Sequence, residues 1–350
     1  MTIEIQRTAT PGPVPQGELG FGSLFSDHMA LCEYEEGKGW LRPRVVPRGP
    51  LSIDPAASGL QYGQSIFEGL KVFRGQGDQL FLFRPQDHGR RFNRSAERLC
   101  MPTFPEDLWL ELAKALARTD ARFVPDRPNT SLYLRPTMVG TEGFLGVRPA
   151  KKYLFYLLGS PVGNYWGAAG PRPVRLWVEE KFVRAVRGGT GFAKTGGNYA
   201  ASLKAALEAK ARGFDQVLWL DGVSRTHVEE IGTMNVLVRT TQGLITPPLG
   251  DTILAGVTRD TVITLAKEMG IAVTERPIAL TELAAWSERG ELLEMFGAGT
   301  AAVVTPIGEL VSERGTIQVG QGELAGQLLQ KIGAFQRGAG PDPHGWRVPV

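Results

Sequence analysis

The stretch GGTGFAKTGGNY, Gly188–Tyr199, places five glycines around a single lysine, Lys194. Glycine lacks a Cβ, so the backbone here can approach a ligand closely and adopt positive φ angles. A lysine captures a carbonyl group only when part of its population is deprotonated, which burial and a nearby cation favour. The stretch alone leaves two interpretations open: a functional amine, or a solvated lysine in a flexible loop.

The same stretch fits poorly to the glycine-rich loops that bind nucleotides. The Walker pattern requires a glycine immediately before the lysine, and Ala193 stands there. GTGFAK also departs from GxGxxG, because Lys194 occupies the position of the last glycine. A nucleotide-binding protein is therefore disfavoured.

The composition is that of a globular protein with no bias toward polyanions. The 350 residues are 42% hydrophobic, and 39 basic against 36 acidic residues give a net charge of +3. This balance favours neither nucleic acid nor a membrane surface as a partner. Cys32 and Cys100 show no metal-ligand or disulfide spacing, so we expect no metal site and a cytoplasmic location.

Glycine, proline and periodicity divide the chain into two α/β domains. We predict a flexible N-terminal tail over 1–20, a small α/β domain over 21–165 and a linker over 166–173, where GAAGPRP breaks both helix and strand. A second domain follows over 174–340, with a C-terminal tail over 341–350.

Within these domains, short apolar runs predict strands and amphipathic segments predict helices. The predicted strands are Leu70–Phe73, Leu80–Phe83, Ser131–Leu134, Tyr153–Gly159, Val174–Val178, Val217–Leu220, Asn235–Arg239 and Ala301–Val304. The predicted helices are Pro85–Leu99, Tyr199–Arg212, Arg259–Met269 and Glu323–Arg337. A further helix is expected to open at Thr103, where TFPE resembles a capping box with Glu106.

Three other motifs suit a phosphorylated, electron-accepting cofactor. EEIGTMN offers two carboxylates, Glu229 and Glu230, either of which would keep a pyridine nitrogen protonated. Gly256–Thr258 precedes a predicted helix, where amides and a hydroxyl would bind an anion, although the motif by itself favours a plain N-cap role for Thr258. FGAGTAA, residues 296–302, is rich in small residues that expose backbone N–H groups.

Seven ordered motifs spread over most of the chain resemble the branched-chain aminotransferases, which are fold-type IV pyridoxal-phosphate enzymes. These motifs are QSIFEGLK, FRPQDHGRRFNRSAERLC, LYLRP, KTGGNYA, EEIGTMN, GVTRD and FGAGTAA. The resemblance implies a two-domain α/β (α+β type) fold, with a smaller N-terminal α/β domain and a larger C-terminal pseudo-barrel domain. It also implies a homodimer with pyridoxal 5'-phosphate in the cleft between domains.

The resemblance further implies a role for each motif residue. Lys194 matches the Schiff-base lysine, which also acts as the catalytic acid and base. Glu230 matches the acid at the pyridine nitrogen, leaving Glu229 a spectator, and Tyr199 matches the tyrosine at the cofactor's phenolic oxygen. Arg91 matches the phosphate-binding arginine, with its neighbour Arg90 as the alternative. The remaining predicted cofactor contacts are Thr233, Val257, Thr258 and Thr300.

On the substrate side, Tyr62 and the Thr300–Ala301 amides match groups that bind the α-carboxylate. The residues that match the side-chain pocket are Phe67, Tyr133, Tyr165 and Thr233. Leu145 is expected to enter the pocket from the other subunit. Arg135 matches an arginine that would let one pocket accept both leucine and the γ-carboxylate of glutamate.

The implied reaction is a ping-pong transfer of the amino group between leucine, isoleucine or valine and 2-oxoglutarate. The motifs favour this group over D-amino-acid aminotransferases and aminodeoxychorismate lyases, which share the lysine and the acid. A non-catalytic cofactor-binding protein is a more distant alternative. One departure is informative: Ala302 and Thr305 stand where some family members carry a redox CxxC, so thiol regulation of that kind is not expected.

Overall fold

The computed structural model describes residues 2–163 and 172–350 as two compact units. The first unit contains the described residues up to 163, together with Ala193–Gly196 and Gly333–Val350. The second contains residues from 172 to Phe192 and then Gly197–Ile332. Most of the predicted linker lies outside the described residues.

Strands and helices follow one another along both units. In chain order the strands are β1 (Glu4–Ile5), β2 (His28–Glu35), β3 (Gly39–Pro47), β4 (Ser65–Phe67), β5 (Leu70–Arg74), β6 (Leu80–Phe83), β7 (Ser131–Gly140), β8 (Lys152–Val162), β9 (Val174–Glu179), β10 (Gln216–Leu220), β11 (Val228–Ile231), β12 (Met234–Thr240), β13 (Gly243–Thr246), β14 (Val273–Glu275), β15 (Leu292–Gly299), β16 (Val303–Ser312), β17 (Gly315–Gln318) and β18 (Arg347–Pro349). The helices are α1 (Ser58–Gln61), α2 (Pro85–Arg98), α3 (Glu106–Thr119), α4 (Gly196–Ala211), α5 (Val257–Glu268), α6 (Leu280–Glu288) and α7 (Leu324–Gln336).

The first unit is built on one sheet in the order β1-β3-β2-β8-β7-β5-β6-β18, with β4 paired to β7. Helices α2 and α3 cover it with apolar side chains, among them Phe92, Trp109 and Leu112. The ring of Phe92 lies 5.2 Å from that of Trp109 and 5.8 Å from that of Phe155 on β8. Each such buried side chain contributes about 1.5–3 kcal/mol, so this layer holds α2, and the residues on it, firmly against the sheet.

The second unit contains a closed ring of six strands. Neighbours in the order β11-β10-β9-β16-β15-β12 are paired, and β12 pairs again with β11. Val236, Leu237 and Val238 on β12 are all fully buried, so this strand is covered on both of its faces. The mixed α/β architecture with a pseudo-barrel is therefore confirmed.

Both predicted tails contain ordered strands, which corrects the expectation of loose ends. In the N-terminal segment, β1 pairs with β3. In the C-terminal segment, β18 pairs with β6 and belongs to the first unit, because Trp346 is buried beside Phe83 with their ring centroids 6.0 Å apart. With this segment, the first unit contains more of the described residues than the second.

Two local predictions were wrong. The helix α3 begins at Glu106 with Pro105 as its N-cap residue, and no side chain caps it, so the capping box at Thr103 is absent. The carbonyl of Thr103 instead accepts a hydrogen bond from the Trp40 indole N–H at 2.8 Å. Ala301 lies in a turn rather than in a strand. Among the described residues, no helix has the length and apolar character needed to cross a bilayer.

Candidate active site

In the first unit, the backbone of Lys194 is fixed on both sides. Its N–H donates to the hydroxyl oxygen of Ser95 at 2.9 Å, and its carbonyl accepts from the N–H of Phe67 at 3.0 Å. The lysine Nζ lies 4.9 Å from the centroid of the Phe67 ring. The backbone of Lys194 is thus held by helix α2 and the end of β4.

Arg91 and Arg90 have different environments, although they are adjacent on α2. Arg91 is 4% exposed and bidentate to Glu68, with Nε–Oε1 2.6 Å and Nη2–Oε2 2.9 Å. Nδ1 of His88 lies 3.0 Å from the same Oε2. Arg90 is exposed and pairs with Asp87. Only Arg91 therefore belongs to the buried cluster that adjoins Lys194.

Charge in this cluster is balanced internally. Burial opposes ionisation of Glu68, but the charge of Arg91 and the hydrogen bonds from Arg91 and His88 outweigh it and hold the pKa of Glu68 well below its ordinary value. Burial lowers the pKa of His88, with the nearby Lys194 acting in the same direction and Glu68 against it. Glu68 is therefore an anion and His88 a neutral ring whose Nδ1–H donates to it.

Three predicted pocket residues lie together around one ring. The Arg135 guanidinium carbon is 4.7 Å from the Phe67 centroid and 5.2 Å from the Tyr133 centroid. Arg135 Nη2 donates to the Tyr133 hydroxyl at 2.9 Å, while its buried Nε has no hydrogen-bond partner among the described residues. Because Lys194 Nζ also lies over Phe67, an amine and a guanidinium share one aromatic neighbour.

Tyr62 and Leu145 lie together at an exposed edge of this unit. The Tyr62 hydroxyl donates to the carbonyl of Leu145, and the two residues are 48% and 63% exposed. An isolated bridge between Ala57 and Gly143 holds their two segments together. The predicted pocket residue Tyr165 lies outside the described residues.

In the second unit, Glu230 is buried and held by three groups. Its Oε1 accepts from the Leu254 N–H at 2.8 Å and from Asn235 Nδ2 at 3.2 Å. Its Oε2 lies 3.0 Å from Arg184 Nε, an ion pair in which the N–H is not aligned for a hydrogen bond. Arg184 is itself anchored by donation to the carbonyl of Thr252. Glu230 is thus a carboxylate with a buried counter-ion.

The neighbouring Glu229 has a different environment. Its Oε1 accepts from the Thr252 hydroxyl at 2.5 Å, and its buried Oε2 has no hydrogen-bond partner in the part of the chain that the structure describes. Burial raises the pKa of Glu229, partly opposed by Thr252 and Arg184. Of the two candidate acids, Glu230 has the surroundings that stabilise a permanent negative charge.

Helix α5 begins at Val257, with Gly256 as its N-cap residue and no side-chain cap. Thr258 is therefore the second helical residue and not the N-cap, so that alternative is wrong. A Cβ on Gly256 would lie 1.9 Å from Asn235 Oδ1, which only glycine avoids. The close approach places the start of α5 next to the residue that contacts Glu230.

Two turns lie at the same end of the barrel. Thr300–Ala301 belongs to the turn between β15 and β16, and Thr233 to the turn between β11 and β12. Asn235 pairs with Ala298 across the antiparallel strands β12 and β15. The turn just before Asn235 and the turn just after Ala298 therefore lie side by side. Val303, which ends the first turn, has φ of 59°, a strained conformation for a β-branched residue.

Tyr199 lies in the first turn of α4, where its carbonyl accepts from the Ser202 hydroxyl at 2.7 Å. The loop ahead of Lys194 is tied to the same turn by Thr190 and Asn198, which exchange two hydrogen bonds of 2.7 Å. Four predicted cofactor contacts of the second unit thus lie near Asn235: Glu230, Thr233, Thr258 and Thr300. Tyr199 lies on helix α4.

Several residues that hold this arrangement were not predicted from the sequence. These are Glu68, His88, Ser95, Arg184 and Asn235. The first three and Asn235 lie within the quoted motifs, so the motifs contained a signal for them, but their partners are distant along the chain. Among the described residues, no group of three or more His, Cys, Asp or Glu side chains could hold a metal ion.

The chain is similar to known proteins along its whole length. Residues 65–310 match the amino-transferase class IV family. Branched-chain-amino-acid aminotransferase 2 of Bacillus subtilis is 45% identical over 353 aligned residues, covering 100% of this chain and 97% of that protein.

Solved structures of branched-chain aminotransferases share the fold of this chain. The branched-chain amino acid aminotransferase of Escherichia coli superposes with a TM-score of 0.76 at 26% identity, covering 92% of this chain and 98% of that one. The branched-chain aminotransferase of the archaeon Thermoproteus uzoniensis, solved with norvaline, gives 0.72 at 27% identity, covering 91% and 99%. Family match, full-length identity and shared fold together show that this chain belongs to the class IV aminotransferases and, within them, to the branched-chain-amino-acid aminotransferases.

Proposed function

We propose that this enzyme transfers the amino group between L-leucine, L-isoleucine or L-valine and 2-oxoglutarate in a ping-pong reaction. The observation that carries the proposal is that Lys194 and Arg135 both lie over the ring of Phe67, and that Arg135 donates to the Tyr133 hydroxyl. It combines an amine, an aromatic surface for an aliphatic side chain and a cation for a second carboxylate. The amine serves both substrates, the aromatic surface serves the aliphatic side chain, and the cation serves the second carboxylate of 2-oxoglutarate.

The residues fit pyridoxal 5'-phosphate, which when bound supplies an aldehyde for amines and a ring that accepts electrons. Lys194 would hold the aldehyde carbon, and Glu230 would keep the ring nitrogen protonated. Tyr199 and Thr233 would contact the ring substituents. The phosphate would be bound by Arg91, by the start of α5 at Val257 and Thr258, and by Thr300, since a helix N-terminus favours an anion.

In one half-reaction, Lys194 Nζ would take the proton from the substrate Cα and deliver it to the cofactor's aldehyde carbon, and in the other half-reaction it would move a proton in the opposite direction. Its backbone is fixed by Ser95 and Phe67, which limits the positions that the amine can reach. Tyr62 and the Thr300–Ala301 amides would bind the α-carboxylate. Tyr165 would contribute to the side-chain pocket. In a homodimer, Leu145 would enter the pocket of the partner subunit together with the Tyr62 of its own chain, whose hydroxyl donates to the Leu145 carbonyl.

Dual specificity follows from Arg135. Its alkyl stem and the rings of Phe67 and Tyr133 offer an apolar surface to a branched side chain. The guanidinium, whose buried Nε lacks a hydrogen-bond partner among the described residues, would bind the γ-carboxylate of glutamate.

The purified enzyme should convert L-leucine, L-isoleucine and L-valine with 2-oxoglutarate, giving parallel double-reciprocal plots. D-Leucine should be inert, and turnover of D-leucine alone would contradict the proposal. Glu230→Gln should lose most of the rate yet still bind the cofactor, whereas Glu229→Gln is the matched neighbour and should change the rate little. The reverse order would assign the ring-nitrogen contact to Glu229.

A further inference from the structure

Glu68 is a buried acid to which the proposed reaction gives no role. It follows directly after β4, it is completely buried, and its N–H is anchored to the carbonyl of Pro136 at 2.8 Å. Its carboxylate accepts both Nε and Nη2 of Arg91. A buried ion pair of this kind is weak evidence for stability, because desolvation offsets much of the attraction. Stability alone therefore does not account for this buried acid.

The orientation of the Glu68 carboxylate is set by more than one donor. Besides the two nitrogens of Arg91, Oε2 accepts from His88 Nδ1 at 3.0 Å and from the Gly69 N–H at 3.0 Å. His88 and Arg91 are three residues apart and so lie on the same face of α2. The carboxylate therefore fixes the plane of the guanidinium. Without it, the flexible side chain of the arginine would allow that plane to rotate.

The same cluster is connected to the lysine. Ser95, one turn after Arg91 on α2, donates its hydroxyl to the Arg91 carbonyl at 3.1 Å and accepts the Lys194 N–H. Phe67, the residue before Glu68, donates to the Lys194 carbonyl. The guanidinium of Arg91 and the backbone of Lys194 are thus held by connected contacts within one unit.

We propose that Glu68 is a positioning residue for the cofactor's phosphate: it clamps one edge of the Arg91 guanidinium and thereby aims the arginine at the phosphate while Lys194 holds the aldehyde end. The inference rests on the proposed function. Since Glu68 engages Nε and Nη2, the arginine's Nη1 points away from the carboxylate. Glu68 also balances the charge of Arg91, so the buried site is tolerated before the cofactor arrives.

The test compares pyridoxal phosphate with pyridoxal, which has the aldehyde and ring but no phosphate. Full-length apoenzyme is titrated with each, and binding is followed by absorbance. Glu68→Gln should weaken pyridoxal phosphate binding by about 10-fold or more, as outer-shell partners commonly do, and leave pyridoxal binding unchanged. Equal losses for both ligands, or an unchanged affinity for pyridoxal phosphate, would overturn the proposal.

Two further variants separate positioning from charge and from misfolding. Glu68→Asp keeps the negative charge but withdraws it by one methylene, so it should weaken pyridoxal phosphate binding selectively too. If Glu68→Gln does not fold, this variant carries the test. Retention of full affinity by Glu68→Asp would show that charge alone matters and would contradict positioning.

A double-mutant cycle shows whether Glu68 acts through Arg91. In an Arg91→Gln background, Glu68→Gln should cause no additional loss of pyridoxal phosphate affinity, whereas additive losses would contradict the proposal. Asp87→Asn is the matched control, a carboxylate on the same helix that pairs with the exposed Arg90, and it should bind both ligands normally. A wild-type apoenzyme that binds no pyridoxal phosphate would instead refute the proposed function itself.

Discussion

Phe67 and Arg135 show at the scale of single residues how one pocket would accept two unlike side chains. The guanidinium carbon of Arg135 lies 4.7 Å from the ring centroid of Phe67, and its Nη2 donates to the Tyr133 hydroxyl. An arginine in this setting offers its stem and flanking rings to apolar groups and its fork to a carboxylate. The two half-reactions should therefore depend on Arg135 to different extents.

We predict that Arg135→Met lowers kcat/KM for 2-oxoglutarate by about 10- to 100-fold, the value of a hydrogen bond to a charged group. The rate with L-leucine should change much less, because methionine preserves an apolar wall. Single-turnover measurements of each half-reaction check this. Arg90→Met, an exposed arginine on α2, is the control, and equal losses in both half-reactions would contradict the assigned role.

Arg184 is the buried counter-ion of Glu230, so removing it would leave the carboxylate as an unpaired buried charge. We predict that Arg184→Met lowers the free energy of unfolding of the apoenzyme by about 3–5 kcal/mol, since it leaves a buried charge without its partner. Denaturant titration at neutral pH measures this. Arg90→Met removes an exposed pair and should lose no more than about 1 kcal/mol. Similar losses for both variants would show that Glu230 does not depend on Arg184.

At the scale of elements, α2 is attached to the sheet by charge as well as by its apolar face. His88 and Arg91, on one face of the helix, both bind Glu68. The pKa of Glu68 lies below its ordinary value, so its contribution to stability is complete above pH 4.5 and is lost as the pH falls further. The pKa of the buried His88 is also lowered, so below pH 6.5 the unfolded chain binds more protons and stability falls there too.

We therefore predict that the unfolding free energy of the apoenzyme falls in two stages as the pH is lowered, first below pH 6.5 and again below pH 4.5. Glu229 acts in the opposite sense, because its pKa is raised. Comparison with Glu68→Gln isolates the second stage: the variant's stability should depend less on pH below 4.5. Parallel curves for the two proteins would contradict the ion-pair account.

The C-terminal strand β18 is a structural element of the first unit, not a tail. Trp346, just before it, is 8% exposed, its carbonyl accepts from the Arg84 N–H at 2.6 Å, and the Arg84 guanidinium lies 4.9 Å from its ring. We predict that Trp346→Ala lowers the unfolding free energy by about 3 kcal/mol. Val147→Ala, at an 88% exposed apolar position, should change it by less than about 0.5 kcal/mol. Equal effects would support a loose C-terminus.

Across the whole molecule, the sequence predicted the strands and helices that are encoded by a local pattern of apolar and polar residues. The runs at Leu80–Phe83 and around Val236 became strands, and helix α2 begins at the predicted Pro85. The prediction of two flexible tails was wrong because the strands in these segments pair with partners far away in sequence. β18 reaches β6 across more than 260 residues, and no local pattern encodes that pairing.

The candidate site was predictable to the same extent. Motifs singled out Lys194, Arg91, Glu230 and Arg135, because each is marked by its immediate neighbours. The groups that hold them were not predictable. Glu68 contacts Arg91 across 23 residues, and Arg184 reaches Glu230 from the loop that follows β9. Such partners emerge once strands and helices have been brought together.

We propose that Lys194 is the amine that holds pyridoxal phosphate and moves the substrate proton. The most direct measurement is borohydride reduction of the holoenzyme, which converts the carbon–nitrogen double bond between a lysine and the cofactor into a stable single bond, followed by peptide mass spectrometry. We predict a phosphopyridoxyl group on Lys194, and no trapped cofactor and no turnover in Lys194→Ala. A phosphopyridoxyl group on another lysine, or near-normal turnover by Lys194→Ala, would contradict the account.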